Sequence, residues 1–223
     1  MNYNEIGAKA LQEEKTEEAI QAFMQAIESN PEDPSGYINL GNIFAAVNDL
    51  ERAEQFFQQA IALDEKAATA YYSLANVYYN HDRFEEAAKL YGEAIKLGLH
   101  EADAHYMLAK SFEHLGQEKL ALPYAQRAAE LAKEDMQIQL TYAILLAKVE
   151  AFDEARELLE QIIREDEKNA DAHYNLGMIY AVSTDDAERA LQHLEQAFTL
   201  NPDHIQAREI HTMITEGLKQ KGE

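Results

Sequence analysis

Cysteine is absent from this 223-residue chain, and proline and glycine are scarce. Without cysteine the chain has neither a disulfide framework nor a thiolate metal site. Four prolines and nine glycines provide few of the turns that an all-β fold requires, whereas the abundant Ala, Glu, Gln and Leu lose little rotamer freedom in a helix. No apolar run approaches the roughly 20 residues of a membrane span, and the amino-terminal residues lack the features of a secretory signal. We therefore expect a helical protein of the cytoplasm that does not contact a membrane.

Basic residues are also scarce, since 19 Lys and Arg stand against 41 Asp and Glu and give a formal net charge of −22. Binding to nucleic acid depends on clustered Lys and Arg that displace counterions from phosphates, and the sequence has no such cluster. An excess of acid is typical of a well-solvated helical surface. A functional interpretation of the same acidic surface is that the protein prefers basic or neutral partners.

The sequence motifs of common catalytic and metal sites are missing as well. Neither GxGxxG, GxxxxGK nor GxSxG occurs. His100 and His105 are five residues apart, whereas two zinc ligands on one helix face stand at i and i+4, so we expect His105 to be a half-buried core residue. Paired carboxylates such as Glu85 and Glu86 lie mostly in turns and first helical turns, where acid complements the positive helix end. We expect no enzymatic activity, no cofactor and no metal.

A period of 34 residues organises the chain, and it recurs in four series of similar residues. These are Tyr37, Tyr71, His105, Gln139 and His173; Leu40, Leu74, Leu108, Tyr142 and Leu176; Ala19, Ala53, Ala87, Ala121 and Ala155; and Phe23, Phe57, Tyr91, Ala125 and Leu159. In the sixth copy the alanine is Ala190, which follows Ala155 by 35 residues. We expect the extra residue in the turn at 183–186, because loops accept insertions more readily than packed helices.

Within each period the apolar residues follow a helical spacing. In the second copy, one face consists of Tyr37, Leu40, Phe44 and Val47, and another of Ala53, Phe56, Phe57, Ala60 and Ile61. Asp33 before Pro34 predicts a helix start. Asp82, followed three residues later by Glu85, resembles a capping box. Asn48-Asp49 and His81-Asp82 predict the turns between the two helices of their hairpins. Each unit is therefore a pair of helices.

These units resemble tetratricopeptide repeats, in which a bulky residue is followed by Leu-Gly, an aromatic residue, Ala, a second aromatic residue, Ala and Pro. The second copy carries the pattern as Tyr37, Leu40-Gly41, Phe44, Ala53, Phe57 and Ala60. The resemblance implies an all-α, right-handed superhelical solenoid of six helix-turn-helix hairpins and a C-terminal capping helix. We expect the repeats at 1–33, 34–67, 68–101, 102–135, 136–169 and 170–204, the capping helix at 205–218 and a frayed tail at 219–223. The capping helix is predicted from Ala207, Ile210, Ile214 and Leu218.

In proteins of this kind the first helices of successive hairpins line a concave surface that binds a partner. Carried over position by position, the resemblance gives as candidate peptide-binding residues Asn4, Asn39, Asn42, Tyr72, Asn76, Tyr79, Asn80, Tyr106, Lys110, Tyr174, Asn175 and Met178. Asn is a poor helix former whose amide both donates to and accepts from a peptide backbone, and Tyr offers a rigid apolar face with a polar tip. The alternative is that these Asn residues only hydrogen-bond neighbouring hairpins.

Some members of the family grip the C-terminal carboxylate of a chaperone with two Lys, two Asn and an Arg. Asn39 matches one of these positions, but the cationic positions hold Asn4, Thr69 and Ser73. We therefore expect no clamp for an acidic chaperone tail.

The resemblance thus implies a non-catalytic scaffold or adaptor, similar to small stand-alone bacterial tetratricopeptide proteins, that binds an extended or helical segment of another protein. The alternative hypothesis is a self-assembling module, in which the tyrosines and Met178 pair with another copy to form a homodimer. If the groove binds a client, replacement of Asn42 or Asn76 by Ala is predicted to weaken binding with little effect on melting. The sequence does not name the client.

Overall fold

The computed structural model describes residues 2–184 and 186–221, which form thirteen α-helices and no β-strand. The helices are α1 (Tyr3–Gln12), α2 (Thr16–Ser29), α3 (Pro34–Ala46), α4 (Leu50–Leu63), α5 (Ala68–Asn80), α6 (Phe84–Lys96), α7 (Ala102–His114), α8 (Glu118–Leu131), α9 (Met136–Lys148), α10 (Phe152–Glu165), α11 (Ala170–Ser183), α12 (Ala187–Leu200) and α13 (Ile205–Lys221). The all-α prediction is confirmed. No helix within these residues is both long and apolar enough to cross a bilayer.

The helices pack against their neighbours along the chain in two compact units, one up to Gln117 and the other from Glu118 onward. In the first unit α1 packs on α2, α3 on α4 and α5 on α6, and α3 also contacts α5. In the second unit α9 packs on α10, α11 on α12 and α12 on α13, and α9 also contacts α11. Helices α3, α5, α9 and α11 are the first helices of their predicted hairpins, so first helices of successive hairpins meet within each unit.

Small residues let the two helices of a hairpin approach closely. The recurring alanines are fully buried, each with 0% of its surface exposed: Ala19, Ala53, Ala87, Ala121, Ala155 and Ala190. The approach is closer still at Gly41, where an added Cβ would lie 2.7 Å from Cε1 of Phe57. Gly7 and Phe23 repeat this contact, with a corresponding distance of 2.5 Å. A small residue opposite an aromatic ring therefore sets the spacing of these helix pairs.

Of the two predicted helix starts, one is confirmed and one is wrong. The Asp33 side chain accepts a hydrogen bond from the amide of Ser35 at 2.9 Å, and Pro34 is the first residue of α3. Asp82, by contrast, has a φ of 58° and lies in the turn, while α6 is capped at Arg83 without a side-chain hydrogen bond. The capping box does not form because residue 82 adopts the left-handed backbone that closes α5, whereas an N-cap needs an extended one.

The turn inside a hairpin is built in the same way five times. Its central residue has a left-handed backbone, with φ between 58° and 66°, at Glu14, Asn48, Asp82, Gly116 and Glu150. These positions follow the 34-residue period. The amide of the next residue donates to the carbonyl five positions earlier, as from Asp49 to Phe44 at 2.8 Å. This Schellman bond satisfies a carbonyl that the helix end would otherwise leave open.

The sixth turn is built differently because the extra residue is helical. Helix α11 has 14 residues, whereas α3, α5, α7 and α9 have 13 each. The extra position lies within the predicted stretch 183–186, but it extends the helix to Ser183 rather than the turn. The hydroxyls of Ser183 and Thr184 donate to the carbonyls of Ile179 and Tyr180, at 2.7 and 2.8 Å. Two side-chain hydroxyls therefore bond to the last turn of this helix.

Helix α13 packs on α12, where Ala207 joins Leu194 and Ala197 in a buried cluster. Ile210 and Ile214 pack against this cluster, but Leu218, the last residue of the predicted stripe, is 45% exposed. The helix continues to Lys221, beyond the predicted end at residue 218, because the sequence from 219 to 221 consists of strong helix formers. The remainder of the predicted tail, residues 222–223, lies outside the described residues.

Candidate functional site

A cavity of about 570 Å³ opens between the first helices of the first unit. Its lining comes from α3, α5, the start of α7 and the segment just before α7. The lining residues are Ser35, Ile38, Asn39, Asn42, Thr69, Tyr72, Ser73, Leu99, Glu101, Asp103 and Ala104. We call it the α3–α5–α7 cavity. Its volume falls in the range of about 300–1,000 Å³ that is typical of ligand sites.

Asn39 and Asn42 reach the cavity because of their positions on α3. Leu40 and Gly41, which lie between them in sequence, are buried in the core. A separation of three residues keeps the two amides on one side of the helix. Asn42 is exposed, while Asn39 is half-buried and donates from Nδ2 to Oδ1 of Asn4 at 3.5 Å. Both amides can donate and accept at the cavity wall.

Tyr72 is held at the cavity by its neighbours on α6 and α7. Its hydroxyl donates to Oδ2 of Asp103, which joins α5 to α7. Its ring lies 5.6 Å from the ring of Tyr91, at an angle of 58°. Tyr91 is fully buried, and this burial raises the pKa of its phenol. A bound partner would therefore meet a Tyr72 ring whose orientation is already fixed.

The cavity carries charge of one sign. Among the described residues that line it, Glu101 and Asp103 are the charged ones, and there is no Lys, Arg or His. Thr69 and Ser73, which occupy two of the cationic positions of the chaperone clamp, contribute hydroxyls instead. Apolar surface comes from residues such as Ile38. The arrangement can donate hydrogen bonds and attract a cation, but it supplies no positive charge for a carboxylate ligand.

Asn76 was predicted to contact a peptide, but its side chain is used inside its own hairpin. The hydroxyl of Tyr91 donates to Oδ1 of Asn76 at 2.5 Å, and Asn76 does not line the cavity. A buried phenol needs such a partner, because an unsatisfied polar group in the core is costly. The Asn76 bond stays inside one hairpin, whereas the alternative interpretation of the recurring Asn residues expected bonds between neighbouring hairpins. The bond from Asn39 to Asn4 is of that second kind.

The other candidates of the first unit also lie outside the cavity lining. The hydroxyl of Tyr79 is 3.0 Å from Nε2 of His114, and Nζ of Lys110 is 2.6 Å from Oε2 of Glu113. Burial raises the pKa of Tyr79. The remaining three are half-buried or exposed on their helices: Asn4, Asn80 and Tyr106.

Three candidates belong to the second unit. The ring of Tyr174 lies 4.5 Å from the ring of His204. Asn175 donates from Nδ2 to the carbonyl oxygen of Asp171 at 2.8 Å, which is a contact within its own helix. Met178 is half-buried. Of the candidate set, the α3–α5–α7 cavity therefore brings together Asn39, Asn42 and Tyr72.

Leu99, Glu101 and Asp103 were missed as site residues. The candidates were taken from fixed positions within the first helices. Leu99 and Glu101 lie before α7, and Asp103 lies in its first turn. The repeat does contain a signal for Asp103. Ser35, Thr69 and Asp103 stand 34 residues apart, each second in its helix, and all three line the cavity.

Another cavity, of about 640 Å³, lies among α4, α5 and α6, and it was missed because the candidates were confined to first helices. Its lining residues are Gln58, Ile61, Ala62, Glu65, Tyr71, Leu74, Tyr78, Glu86, Lys89, Leu90 and Glu93. Tyr78 donates to Oε1 of Glu54 at 2.5 Å, and the guanidinium carbon of Arg83 is 3.9 Å from the centre of its ring. Burial and the Glu54 carboxylate raise the pKa of Tyr78 to about 12. These contacts fix Tyr78 to neighbouring elements.

Histidines pair within the second unit. Nδ1 of His173 lies 3.0 Å from Nδ1 of His193, and Nε2 of His173 lies 3.3 Å from the carbonyl oxygen of Glu167. Because a carbonyl only accepts, Nε2 of His173 carries the hydrogen and its Nδ1 accepts from His193. Burial lowers the pKa of both rings.

In the part of the chain that the structure describes, no three His, Cys, Asp or Glu residues are grouped to hold a metal ion. His105 is 7% exposed and hence more buried than predicted.

The family model for the cilia and flagella-associated protein 70 C-terminal domain, a tetratricopeptide model, matches residues 3–178. A model described as tetratricopeptide repeat matches residues 170–204. The chain belongs to the tetratricopeptide repeat family, whose members generally act as non-catalytic scaffolds for protein–protein interaction. No curated protein matches the sequence.

Several solved structures share the fold. The crystal structure of YrrB, described as a TPR protein with an unusual peptide-binding site, is 40% identical with a TM-score of 0.83, and the match covers 87% of this chain and 100% of YrrB. PilF of Pseudomonas aeruginosa is 21% identical with a TM-score of 0.74, covering 95% and 96% of the two chains. The structure of MamA 41-end from Desulfovibrio magneticus RS-1 is 18% identical with a TM-score of 0.65, and the match covers 75% of this chain and 94% of that solved chain. The predicted all-α tetratricopeptide solenoid is thereby confirmed.

Proposed function

We propose that this chain is a scaffold that binds a segment of another protein in the α3–α5–α7 cavity. The observation that carries the proposal is that Asn39, Asn42 and Tyr72 line one cavity together with hydroxyls and apolar side chains. The Asn amides would pair with the backbone of the segment, and the fixed Tyr72 ring would contact one of its side chains. YrrB, which is 40% identical to this chain, is a TPR protein with an unusual peptide-binding site, and this supports the same kind of function here.

The proposal is tested by the double substitution Asn39→Ala and Asn42→Ala. A client is first captured from lysate with the wild-type protein, and the affinity of its purified binding segment is then measured by calorimetry. We expect a loss of about 10- to 100-fold, since an unsatisfied hydrogen bond in an interface costs about 1–3 kcal/mol. Gln21→Ala is the control, because Gln21 is an exposed amide residue of α2 that is not a candidate and does not line the cavity. Equal affinities of the double variant and the wild type would contradict the proposal.

Self-assembly is a second candidate function, favoured by the apolar surface that α13 leaves open. Ile205 and Met213 are 63% and 65% exposed on this helix, and a second copy could cover them. Light scattering over a concentration series would report a dimer mass, and Met213→Lys would return it to the monomer mass. A monomer at every concentration would rule this candidate out.

A further inference from the structure

We propose that the α3–α5–α7 cavity selects a Lys or Arg side chain of the bound segment. The inference rests on the proposed function, because it names the side chain that occupies the same cavity. It goes further in assigning a specificity to the cavity and in naming the groups responsible for it.

The charges of the lining favour a cation. Glu101 and Asp103 contribute two carboxylates, and none of the described lining residues carries a positive charge. A carboxylate has about four acceptor sites, so Asp103 can accept from Tyr72 and still accept from an ammonium or guanidinium group. An acidic side chain in the same place would be repelled by the two carboxylates. The donors that it would meet, such as the hydroxyls of Thr69 and Ser73 and the amide of Asn42, are uncharged.

The remaining walls fit the aliphatic part of a long basic side chain. Ile38, Leu99 and Ala104 line the cavity with apolar surface, against which the methylene groups of Lys or Arg can be buried. Tyr72 lines the same cavity, and its hydroxyl donates a hydrogen bond to Asp103. One cation can therefore contact a carboxylate and an aromatic ring at the same time. The cavity thus combines apolar surface, an aromatic ring and a carboxylate. This combination fits the side chain of Lys or Arg better than a purely apolar side chain.

The charge of the whole chain acts in the same direction. With a formal net charge of −22, the protein attracts basic segments over a distance and repels acidic ones. This general attraction weakens with salt and is not confined to one cavity. A test of the inference must therefore separate the contribution of Glu101 and Asp103 from that of the remaining acid.

The test uses pools of short peptides, capped at both ends and randomised over uncharged residues, in which the central residue is fixed as Arg, Lys, Gln or Glu. Their binding is measured by fluorescence anisotropy at low and at physiological salt. The wild type is compared with the double variant Glu101→Gln and Asp103→Asn, in which the amide oxygen of Asn can still accept from Tyr72. Glu28→Gln is the control, because Glu28 is an exposed residue of α2 that does not line the cavity. Melting curves verify that each variant is folded.

We expect the Arg and Lys pools to bind the wild type and the control about 10-fold more tightly than the Gln pool at physiological salt, and we expect this preference to disappear in the double variant. A preference that persists in the double variant would show that general charge attraction is responsible, and would overturn the inference. Equal binding of all pools, abolished by Asn39→Ala and Asn42→Ala, would overturn the inference while leaving the proposed function intact. If no pool binds and a client segment also fails to bind, the proposed function itself fails.

Discussion

The ring of Phe57 lies so close to the backbone of Gly41 that an added Cβ would be 2.7 Å from Cε1 of the ring. Phe57 is fully buried, so it cannot move into solvent to make room. The close packing of α3 on α4 therefore requires glycine, which has no side chain, at position 41.

We predict that Gly41→Ala lowers the free energy of unfolding by about 1–3 kcal/mol, because overpacking forces a shift of the ring or of a helix. Gly92→Ala is the matched control. An added Cβ at Gly92 would meet nothing within 4 Å, so this variant should gain about 0.5–1 kcal/mol through helix propensity. Urea unfolding of both variants measures the difference, and a Gly41→Ala protein as stable as the wild type would refute the packing argument.

Asn76→Ala should destabilise the fold, in contrast to the sequence-based prediction of little effect on melting. The substitution leaves the hydroxyl of the buried Tyr91 without its acceptor at 2.5 Å, and this should cost about 1–3 kcal/mol. Asn42→Ala, at an exposed position, should stay within about 0.5 kcal/mol of the wild type. Thermal melting compares the two, and the double variant Asn76→Ala with Tyr91→Phe should recover part of the loss. Equal melting temperatures for the two single variants would show that the hydrogen bond contributes nothing.

Glu150→Gly should stabilise the protein by about 1 kcal/mol. Glu150 has a φ of 66°, a conformation in which a side chain is strained and glycine is not. Gly116 already occupies the equivalent position of another turn with the same φ. The matched control is Glu157→Gly, an exposed position inside α10, which should lose about 0.5–1 kcal/mol. Denaturant midpoints that move in the same direction for both variants would contradict the prediction.

The free energy of unfolding should fall as the pH drops below about 6.5, because of the pair His173 and His193. Both folded pKa values are lowered by burial, so the unfolded chain binds protons first as the pH decreases. The groups around the pair are the carbonyl of Glu167, the ring of Tyr180, the carboxylate of Glu160 and the guanidinium of Arg189. The contribution of the pair is thus fully present above that pH and is lost on acidification.

The measurement is the urea midpoint at about pH 7.5 and about pH 5 for the wild type and for His193→Gln. The variant should lose less stability on acidification than the wild type. His100→Gln is the control, since His100 is exposed in the other unit. An equal loss in all three proteins would assign the pH dependence to other groups.

The fold could be predicted from the sequence because the same spacing constraint recurs. The first helices begin at Pro34, Ala68, Ala102, Met136 and Ala170, which is the period of 34 residues found in the sequence. Buried Ala and Gly carry that period, since a larger residue would separate two helices. Helix ends were less predictable. Asp82 has the side chain of an N-cap, but the need to close α5 determines its backbone.

The candidate site was predictable only in part. The groove positions of the tetratricopeptide family, carried over to α3 and α5, identified Asn39, Asn42 and Tyr72, and the helical register then places these side chains on shared faces. It could not show that Asn76 turns to a phenol 15 residues later, since that depends on how α6 packs. Nor could it assign Leu99 and Glu101 to the cavity, because they lie between helices, where periodicity gives no direction.

The left-handed turns have a consequence for how freely the surface of this protein can change. Four different amino acids, Glu, Asn, Asp and Gly, occupy the central position of the five equivalent turns, and each turn closes through backbone atoms. The geometry of the hairpin thus does not depend on which side chain stands at the centre of the turn. These positions are suitable points of attachment for a fluorophore or an affinity handle, since a label there would leave the stacking of the helices unchanged.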